Sequence, residues 1–575
     1  MLPFTLVAAK RIALAQIDTT VGDLDGNGRK IREVTGRARD AGASLVAFPE
    51  LAICGYPPRD FLDMPEFVAR CAAAVEELGR PAGWSRGIAV AFGFPERAPG
   101  APLPGLYNSV ALLDGGRVAA VGRKSLLPTY DVFEETRYFL AASSSTTAPA
   151  GSVGLRLGLS VCEDVWNDKR FWDRPRYARD PIADLVSGGA ELVVNVSASP
   201  YAVGKPELRE RMLCAAARSH RSPIAYVNQV GGNDSLVFDG GSMLIGIDGR
   251  VLARAPLFEE ALLVANLDGS DVRVLGLDGR DLPSPTPPGP SADGQADEVF
   301  RALVLGVRDY VWKCGFRSAV IGVSGGIDSA LTAAVATVAL GPDRVTGVGM
   351  PSRYSSEHSR EDARLLAARL GIAFREVPIE PMHAAYLASL GQVFGHSPGD
   401  LTEQNVQARV RGQILMAISN ETGSLLLSTG NKSELAVGYC TLYGDMAGGL
   451  AVIGDLPKTL VYRVSRAANR ALGKDAIPER TFTKPPSAEL KPGQVDQDSV
   501  PPYEVLDDIL AAYVEDRLPV EEIVRRGHPE EMVRRVLGMV NGSEYKRRQA
   551  APVLKVTGKA FGEGRRLPIA HRWRP

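Results

Sequence analysis

Residues 318–340 read SAVIGVSGGIDSALTAAVATVAL, and this stretch decides the fold of the second half of the chain. A short apolar run, SAVIGVS, fits a strand buried on both faces. The paired Gly325 and Gly326 fit a tight turn, and the Ala/Leu-rich run over 327–340 predicts a helix. Working outward, a helix is predicted over 296–312. Beyond 340 come strand RVTGVGMP (344–351), helix 358–370, strand FREVPI (374–379), helix 403–419 and strand SLLLSTGN (424–431). Strands alternating with helices imply right-handed crossovers and a doubly wound parallel sheet, which binds ligands at the carboxyl ends of its strands. The remainder to Pro575 reads as helix and loop.

Upstream, LPSPTPPGP (282–290) carries five prolines and is followed by SADGQADE, a composition suited to extended, unpacked chain. The expected organisation is a domain over 1–272, a linker over 273–296 and a second domain over 297–575. The first domain contains recurrent short apolar runs: RIALAQI, SLVAFPE, GIAVAFGFPE, NSVALLD, LRLGLSVCED, ELVVNVSAS, PIAYVNQV and SMLIGIDG. With helices predicted over 25–41 and 205–219, it reads as a mixed α/β domain.

The composition excludes several function classes. Lys plus Arg number 66 against 67 Asp plus Glu, so no general attraction to nucleic acid or a membrane surface is expected. An anionic ligand must be held by local groups. Hydrophobic residues at 45% suffice for two buried cores, and no uncharged apolar run is long enough to span a membrane. The six cysteines are scattered, with no CxxC pair and no zinc spacing, which points to a reducing, cytoplasmic setting.

In the first domain, Glu50, Lys124 and Cys162 each follow an apolar run. A thiol titrates near pH ~8.5, so it needs a base or a positive neighbour to attack at neutral pH. Glu50 could be that base, and Lys124 could stabilise an oxyanion. Taken singly, each has an ordinary structural explanation: a turn Glu, a solvated Lys, a small buried Cys. The segments FPELAICGYPPRD, GRKSLLPTYDVFEETRYF and SVCEDVW together resemble the nitrilase, or carbon-nitrogen hydrolase, superfamily. That resemblance implies an αββα sandwich over roughly 10–268, with Glu50 as general base, Lys124 as oxyanion stabiliser and Cys162 as nucleophile. It further implies Glu134 as an additional acidic residue near the site. Glutamine is expected to be bound by Tyr130 and Glu134, and by Ser199 and Lys205 in NVSASPYAVGK.

The Gly-rich turn of the second domain suits phosphate. Adjacent glycines let backbone amides approach an anion, the helix N-terminus adds partial positive charge, and Asp328 can hold Mg²⁺. It is not a GxxxxGK[ST] loop; the nearest lookalike, Gly116 to Ser125, has the wrong spacing. SGGIDS instead resembles the pyrophosphate loop of the N-type ATP pyrophosphatases, and LLLSTGNKSELAVGYCTLYGDMAGGL, DLPK and KPPSAEL narrow the likeness to the NAD synthetases, over about 297–560. The resemblance implies ATP contacts from Gly322, Val323, Ser324, Gly325, Gly326, Ile327, Asp328, Ser329, Thr429 and Lys458. It implies Mg²⁺ on Asp328 and Glu434, and deamido-NAD⁺ contacts from Asn405, Glu434, Asp445 and Lys546.

Both halves, in this order, resemble the two-domain glutamine-dependent NAD synthetases. The implied reaction makes NAD⁺ from deamido-NAD⁺, ATP and glutamine, releasing AMP, pyrophosphate and glutamate, in a homo-oligomer. An enclosed path for NH₃ is expected, because ammonia released to water would be protonated and diluted. Two other readings fit the motifs: an amidase fused to a synthetase for a different carboxylate, and a nucleotide-binding regulator without catalysis.

Overall fold

A computed structural model describes residues 10–80, 83–100, 105–283 and 292–573. Most of the proline-rich run, residues 284–290, lies outside the described residues, as does the N-terminal lead-in 1–9. The chain divides into two compact units, with the boundary between residues 288 and 289; only residues 234–236 group across it.

The first unit contains strands β1 (Arg11–Gln16), β2 (Leu45–Ala47), β3 (Ala89–Arg97), β4 (Leu106–Asp114), β5 (Arg117–Arg123), β6 (Thr146–Ala150), β7 (Leu155–Val161), β8 (Leu192–Ser197), β9 (Ile224–Asn228), β10 (Val230–Asn233), β11 (Leu236–Asp239), β12 (Met243–Ile245), β13 (Val251–Arg254), β14 (Ala261–Asn266) and β15 (Arg273–Leu275). One sheet has the order β15-β14-β1-β2-β3-β4-β5, a second β13-β12-β9-β8-β7-β6, and β10 pairs with β11. The period of two in each strand separates the layers. Along β8 and β9, Val194, Val196, Ala225 and Val227 face the first sheet in a shared core with Ile12, Leu14, Leu45 and Val110. Their neighbours Val193, Ile224 and Tyr226 pack outward with Met212 and Leu213 of helix α4 (Lys205–His220). Helices α1 (Leu24–Asp40) and α2 (Pro65–Leu78) lie against the first sheet, and α3 (Pro181–Ser187) with α4 against the second, giving the expected αββα sandwich.

Strand directions then place the chemistry. β2 is parallel to β3, and β3, β4 and β5 alternate, so β2 and β5 run the same way. Glu50 and Lys124 therefore leave one end of the first sheet, while Cys162 and Ser199 leave the ends of the parallel β7 and β8 in the second. Gly93 on β3 permits the Glu50 turn: a Cβ there would stand 2.1 Å from Leu51 N and 2.7 Å from Glu50 C. Both are backbone atoms that cannot rotate away, so Gly93→Ala is expected to destabilise the unit by roughly 1–3 kcal/mol and to lower glutamine hydrolysis. Denaturant unfolding beside a glutamate-release assay measures both.

The expected linker over 273–296 is ordered at both ends. β15 adds to the edge of the first sheet by pairing with β14, and helix α5 (Ala292–Lys313) starts ahead of the expected 296. Composition marks the prolines but not how far neighbouring segments extend toward them, because edge pairing and helix docking depend on tertiary partners.

The second unit is built on five parallel strands, β16 (Ala319–Gly322), β17 (Val345–Gly349), β18 (Ala373–Glu376), β19 (Leu425–Ser428) and β20 (Leu450–Ala451), in the order β18-β17-β16-β19-β20. Helices α6 (Ile327–Leu340), α7 (Glu357–Leu370), α8 (Glu380–Phe394) and α9 (Asp400–Thr422) connect the strands up to β19. α10 (Lys432–Val437) and α11 (Lys458–Leu472) follow, and helices beyond residue 500 pack with α10 around Leu435, Leu506, Ile509, Val536 and Leu537. The chain winds outward from β16 through β17 to β18, then returns to β19 on the other side. The crevice at such a reversal, at the carboxyl ends of the central strands, is where these sheets bind ligands. The SGGIDS turn follows β16 and Thr429 follows β19.

Candidate active sites

In the first unit, Glu50 and Lys124 are fully buried and meet as an ion pair, Nζ to Oε1 at 2.7 Å. Asn108 Nδ2 donates to the same Glu50 oxygen at 2.7 Å, and the backbone N–H of Ala198, just past β8, donates to Oε2 at 2.9 Å. Glu50 is thus fixed from both sheets. Cys162 follows β7 with φ +41°, a conformation L-residues rarely hold, on the tight turn Cys162–Val165. Burial pushes its thiol well up; the Glu50 charge adds to this, while Lys124 pulls the other way. A thiol held this way needs a base before it can act as a nucleophile. Burial works against the Lys124 ammonium, but the charges of Glu135 and Glu50 outweigh it and hold it well above its ordinary range.

The acidic companion of Lys124 is Glu135, not Glu134. Lys124 Nζ donates to Glu135 Oε1 at 2.8 Å, and Tyr56 OH donates to the same oxygen at 2.9 Å. Glu135 is buried, whereas Glu134 is exposed. Glu134 is the N-cap residue of the short 3-10 turn Glu135–Arg137, where one position turns a side chain by about 120° about the axis. Burial, opposed by Lys124 and reinforced by Glu50, pushes Glu135 up to about 7. Glu135→Gln is expected to lower glutaminase turnover about 10²-fold by weakening the hold on Lys124, and Glu134→Gln to leave it unchanged. Steady-state glutamate release from the two variants separates the positions.

Around this centre, Tyr130 OH donates to both oxygens of Glu163, each at 3.0 Å, and Tyr177 OH donates to Oε1 at 3.0 Å. Burial raises Glu163 against the pull of Lys124 and the two phenols. The Arg176 guanidinium stacks 3.8 Å from the Tyr130 ring centre. Ser199 is buried, its N–H donating to Asn228 Oδ1 at 2.8 Å, and Lys205 Nζ donates to Pro200 O at 2.8 Å. Asn108, Glu135, Glu163 and Tyr177 were not singled out from sequence. Only Glu163 had a usable signal, its position directly after Cys162.

In the second unit, Val323 N still bonds Val348 O, after which the chain turns through Gly325 at φ +83°. A Cβ on Gly325 would lie 2.2 Å from Ser359 O, so only glycine fits. Ser324 Oγ accepts from Gly326 N at 3.2 Å, and Ser329 Oγ accepts from Ser324 N at 3.2 Å while donating to Gly326 O at 3.0 Å. Serine hydroxyls thus shape the turn between Gly322 and Ile327, the first residue of α6. Asp328 accepts from Asn431 Nδ2 at 2.9 Å and from Lys458 Nζ. Glu434 lies 3.8 Å from the same ammonium and closes a capping box with Asn431. Burial and the Asp328 charge, opposed by Lys458, push Glu434 up to about 8. Asp328, Glu434 and Lys458, 130 positions apart at the extremes, converge on the crevice beside Thr429.

Asn405, Asp445 and Lys546 gather around the loop that follows α10. Thr441 Oγ1 donates to Asn405 Oδ1 at 2.8 Å, and Thr441 N donates to Asp445 Oδ1 at 2.8 Å. Lys546 Nζ donates to Gly438 O and Cys440 O, each at 2.7 Å. Burial pushes Asp445 up to about 6, against the Thr441 N–H and the Lys546 charge. Thr441 and Asn431, the residues that join these groups, escaped the sequence reading because their role lies in bonds to distant partners.

Each half of the chain matches a known family. The carbon-nitrogen hydrolase family model matches residues 11–276 and the NAD synthase model residues 299–550. A glutamine-dependent NAD(+) synthetase of Synechocystis sp. is 47% identical over 98% of this chain and 99% of its own length, and one of Thermotoga maritima is 43% identical with the same coverage. The solved structure of a glutamine-dependent NAD⁺ synthetase from Acinetobacter baumannii, in complex with ADP, is 37% identical over 98% of both chains with a TM-score of 0.74. Similarity on this scale spans both sheets and every motif above, and the chain belongs to the glutamine-dependent NAD(+) synthetase family.

Proposed function

We propose the following division of labour for glutamine-dependent NAD⁺ synthesis by this chain. The region 1–272 hydrolyses glutamine and the region 297–575 amidates deamido-NAD⁺. At the first site, Glu50 takes the proton of the Cys162 thiol as sulfur attacks the glutamine amide carbon. Lys124 stabilises the resulting oxyanion, and as it collapses Glu50 gives its proton to the leaving nitrogen, which releases ammonia and leaves a glutamyl-thioester. Glu50 then takes a proton from water as the water attacks the thioester, and returns it to the Cys162 sulfur as the C–S bond breaks and glutamate leaves. Tyr130, Ser199 and Lys205 bind the amino-acid end of glutamine.

At the second site, the nicotinate carboxylate is a poor electrophile and is first adenylated by attack on the α-phosphorus of ATP, which expels pyrophosphate; ammonia then attacks the carbonyl carbon and displaces AMP. Gly322–Ser329, Thr429 and Lys458 hold ATP, while Asn405, Glu434, Asp445 and Lys546 hold deamido-NAD⁺. The residues present fit a divalent cation: Asp328 and Glu434 share one ammonium, and Glu434 is pushed up by burial and then by the Asp328 charge, a repulsion that a cation relieves. Mg²⁺ commonly takes one or two carboxylates and completes its shell from phosphates and water. Asp328 and Glu434 would hold it, and it would supply neutralisation of phosphate charge.

A homo-oligomer fits α8, in which His383 alone is buried although most of its residues are apolar. Among the described residues no helix is long and apolar enough to cross a membrane. A cytoplasmic setting rests on six free cysteines.

The observation that carries this reading is the buried Glu50–Lys124 pair beside Cys162 in the same chain as the SGGIDS turn. An end-point assay with deamido-NAD⁺, ATP and Mg²⁺, supplied with glutamine or with ammonium, tests it. NAD⁺ and AMP should form with either nitrogen source; turnover of another nucleotide acid in preference to deamido-NAD⁺ would overturn it.

A further inference from the structure

The Glu–Lys–Cys constellation is divided between two sheets. Lys124 follows β5 at the edge of the first, and Cys162 follows β7 of the second. The layer between the sheets is apolar, and apolar contact is non-directional, so it sets separation far better than it sets lateral position. Strand β5 lies directly against β7: a Cβ on Gly122, two residues before Lys124, would stand 2.5 Å from the Cβ of Leu159. Just past this closest approach lies Asp164.

Asp164 is buried, 3% exposed, and its carboxylate accepts three backbone N–H groups. Oδ1 takes Ser125 N and Leu126 N, both at 2.9 Å, which are the two residues after Lys124. Oδ2 takes Val161 N at 3.2 Å, the residue before Cys162. One side chain therefore grips the exits of both strands. The Lys124 backbone is held on its other side, with its N–H donating to Asn108 O at 2.8 Å and its C=O accepting from Ala142 N at 2.9 Å. Arg179 donates to Ser125 Oγ at 3.2 Å, and Asp164 holds the Ser125 and Leu126 amides themselves. A buried carboxylate is costly to place in a core, and an apolar side chain would fill the same volume without that cost. What the apolar side chain could not do is direct three amides at once.

We propose that Asp164 is a positioning residue of the glutaminase reaction: a carboxylate clamp that locks the Lys124 exit of one sheet to the Cys162 elbow of the other, and so sets where the oxyanion-stabilising ammonium stands relative to the attacking sulfur. It touches neither glutamine nor the reacting atoms, and it rests on the reading of Glu50, Lys124 and Cys162 as the hydrolytic groups. The clamp acts on the reaction and not on glutamine affinity, because Tyr130, Ser199 and Lys205 are held by other bonds.

The test uses the full chain with Asp164→Asn and Asp164→Ala. Asparagine keeps one oxygen for the Ser125 and Leu126 amides but sets an NH₂ against the Val161 N–H or, if flipped, against the other two; alanine removes every bond. Glutamate release is measured with deamido-NAD⁺ and ATP present and normalised to the fraction of Cys162 alkylated by 6-diazo-5-oxo-L-norleucine, a diazoketone analogue of glutamine. Ammonium-driven NAD⁺ synthesis is measured alongside. A displacement of the order of 1 Å can cost about 10²-fold in rate, so kcat per labelled site should fall about 10-fold in Asp164→Asn and about 100-fold in Asp164→Ala. KM for glutamine should stay within about 3-fold, and ammonium-driven synthesis should be unchanged. Unaltered kcat per labelled site in Asp164→Asn overturns the proposal, as does a fall explained wholly by fewer labelled sites. If Asp164→Ala fails to fold, Asp164→Asn alone decides. The underlying reading fails differently: the analogue would then leave Cys162 unlabelled in the wild-type chain.

Discussion

Cys162→Ala should abolish glutamine-dependent NAD⁺ synthesis and leave synthesis from added ammonium intact. The expected loss with glutamine is at least ~10⁴-fold, the scale seen when an attacking nucleophile is removed from a hydrolytic constellation. The size follows from the site. Cys162 sits on a strained turn at φ +41° beside Glu50 and Lys124, and its thiol is held protonated by burial and by the Glu50 charge. Those features are of use only if a base withdraws the proton during attack. The variant should fold, because alanine leaves the apolar packing around the turn nearly unchanged and relieves no bond that holds Glu50. The ammonium-driven reaction survives because its groups belong to the second compact unit, with its own sheet. Assays with glutamine and ammonium as alternative nitrogen sources check both halves of the statement, and equal loss with each would refute the division of labour.

Asp328→Ala should show the complementary pattern, with NAD⁺ synthesis lost from either nitrogen source and glutamine hydrolysis retained. Asp328 accepts from Asn431 and Lys458 at the mouth of the β16 turn, where phosphates and a cation are expected. Removing it takes away one of two carboxylates and leaves the buried Lys458 ammonium with Glu434 at 3.8 Å as its remaining acidic partner. A fall of about 10³-fold in ammonium-driven turnover is expected from losing an electrostatic group of this kind. Breaking the pair also costs stability, by up to roughly 3–5 kcal/mol for a fully buried pair and less here, because Asp328 keeps some contact with solvent. Thermal unfolding therefore accompanies the assay, and retained glutamate release shows that the chain is still folded. Near-normal NAD⁺ formation would remove Asp328 from the mechanism.

Much of the architecture was legible before any coordinates. The alternation around SGGIDS specifies a parallel sheet because crossovers have one hand, and the observed order β18-β17-β16-β19-β20 has its reversal beside that turn. Helix 327–340 was read to the residue, since an uninterrupted Ala/Leu run after paired glycines leaves little choice of boundary. Helix α8 was missed: its apolar residues wrap around the helix and only His383 is buried, so no face stands out in the pattern. The linker bounds were set too wide for a related reason, because β15 exists by pairing with β14.

The sequence by itself determined that Glu50, Lys124, Cys162 and the SGGIDS turn lie at strand ends, and that Glu434 and Lys458 lie in motifs resembling those of the NAD synthetases. Period and turn residues carry the strand ends and the SGGIDS turn, while the grouping of the residues into two sites is what the resemblance to the two families implies. Tertiary structure alone decided which of two adjacent acids, Glu134 or Glu135, turns inward to Lys124. It alone decided that Asp164 reaches amides 38 and 39 residues upstream, and that Lys458 stands between Asp328 and Glu434. The physical reason is common to all three. A hydrogen bond or ion pair is fixed by direction and by distances of about 3 Å, and sequence patterns carry no such distances between segments that only folding brings together.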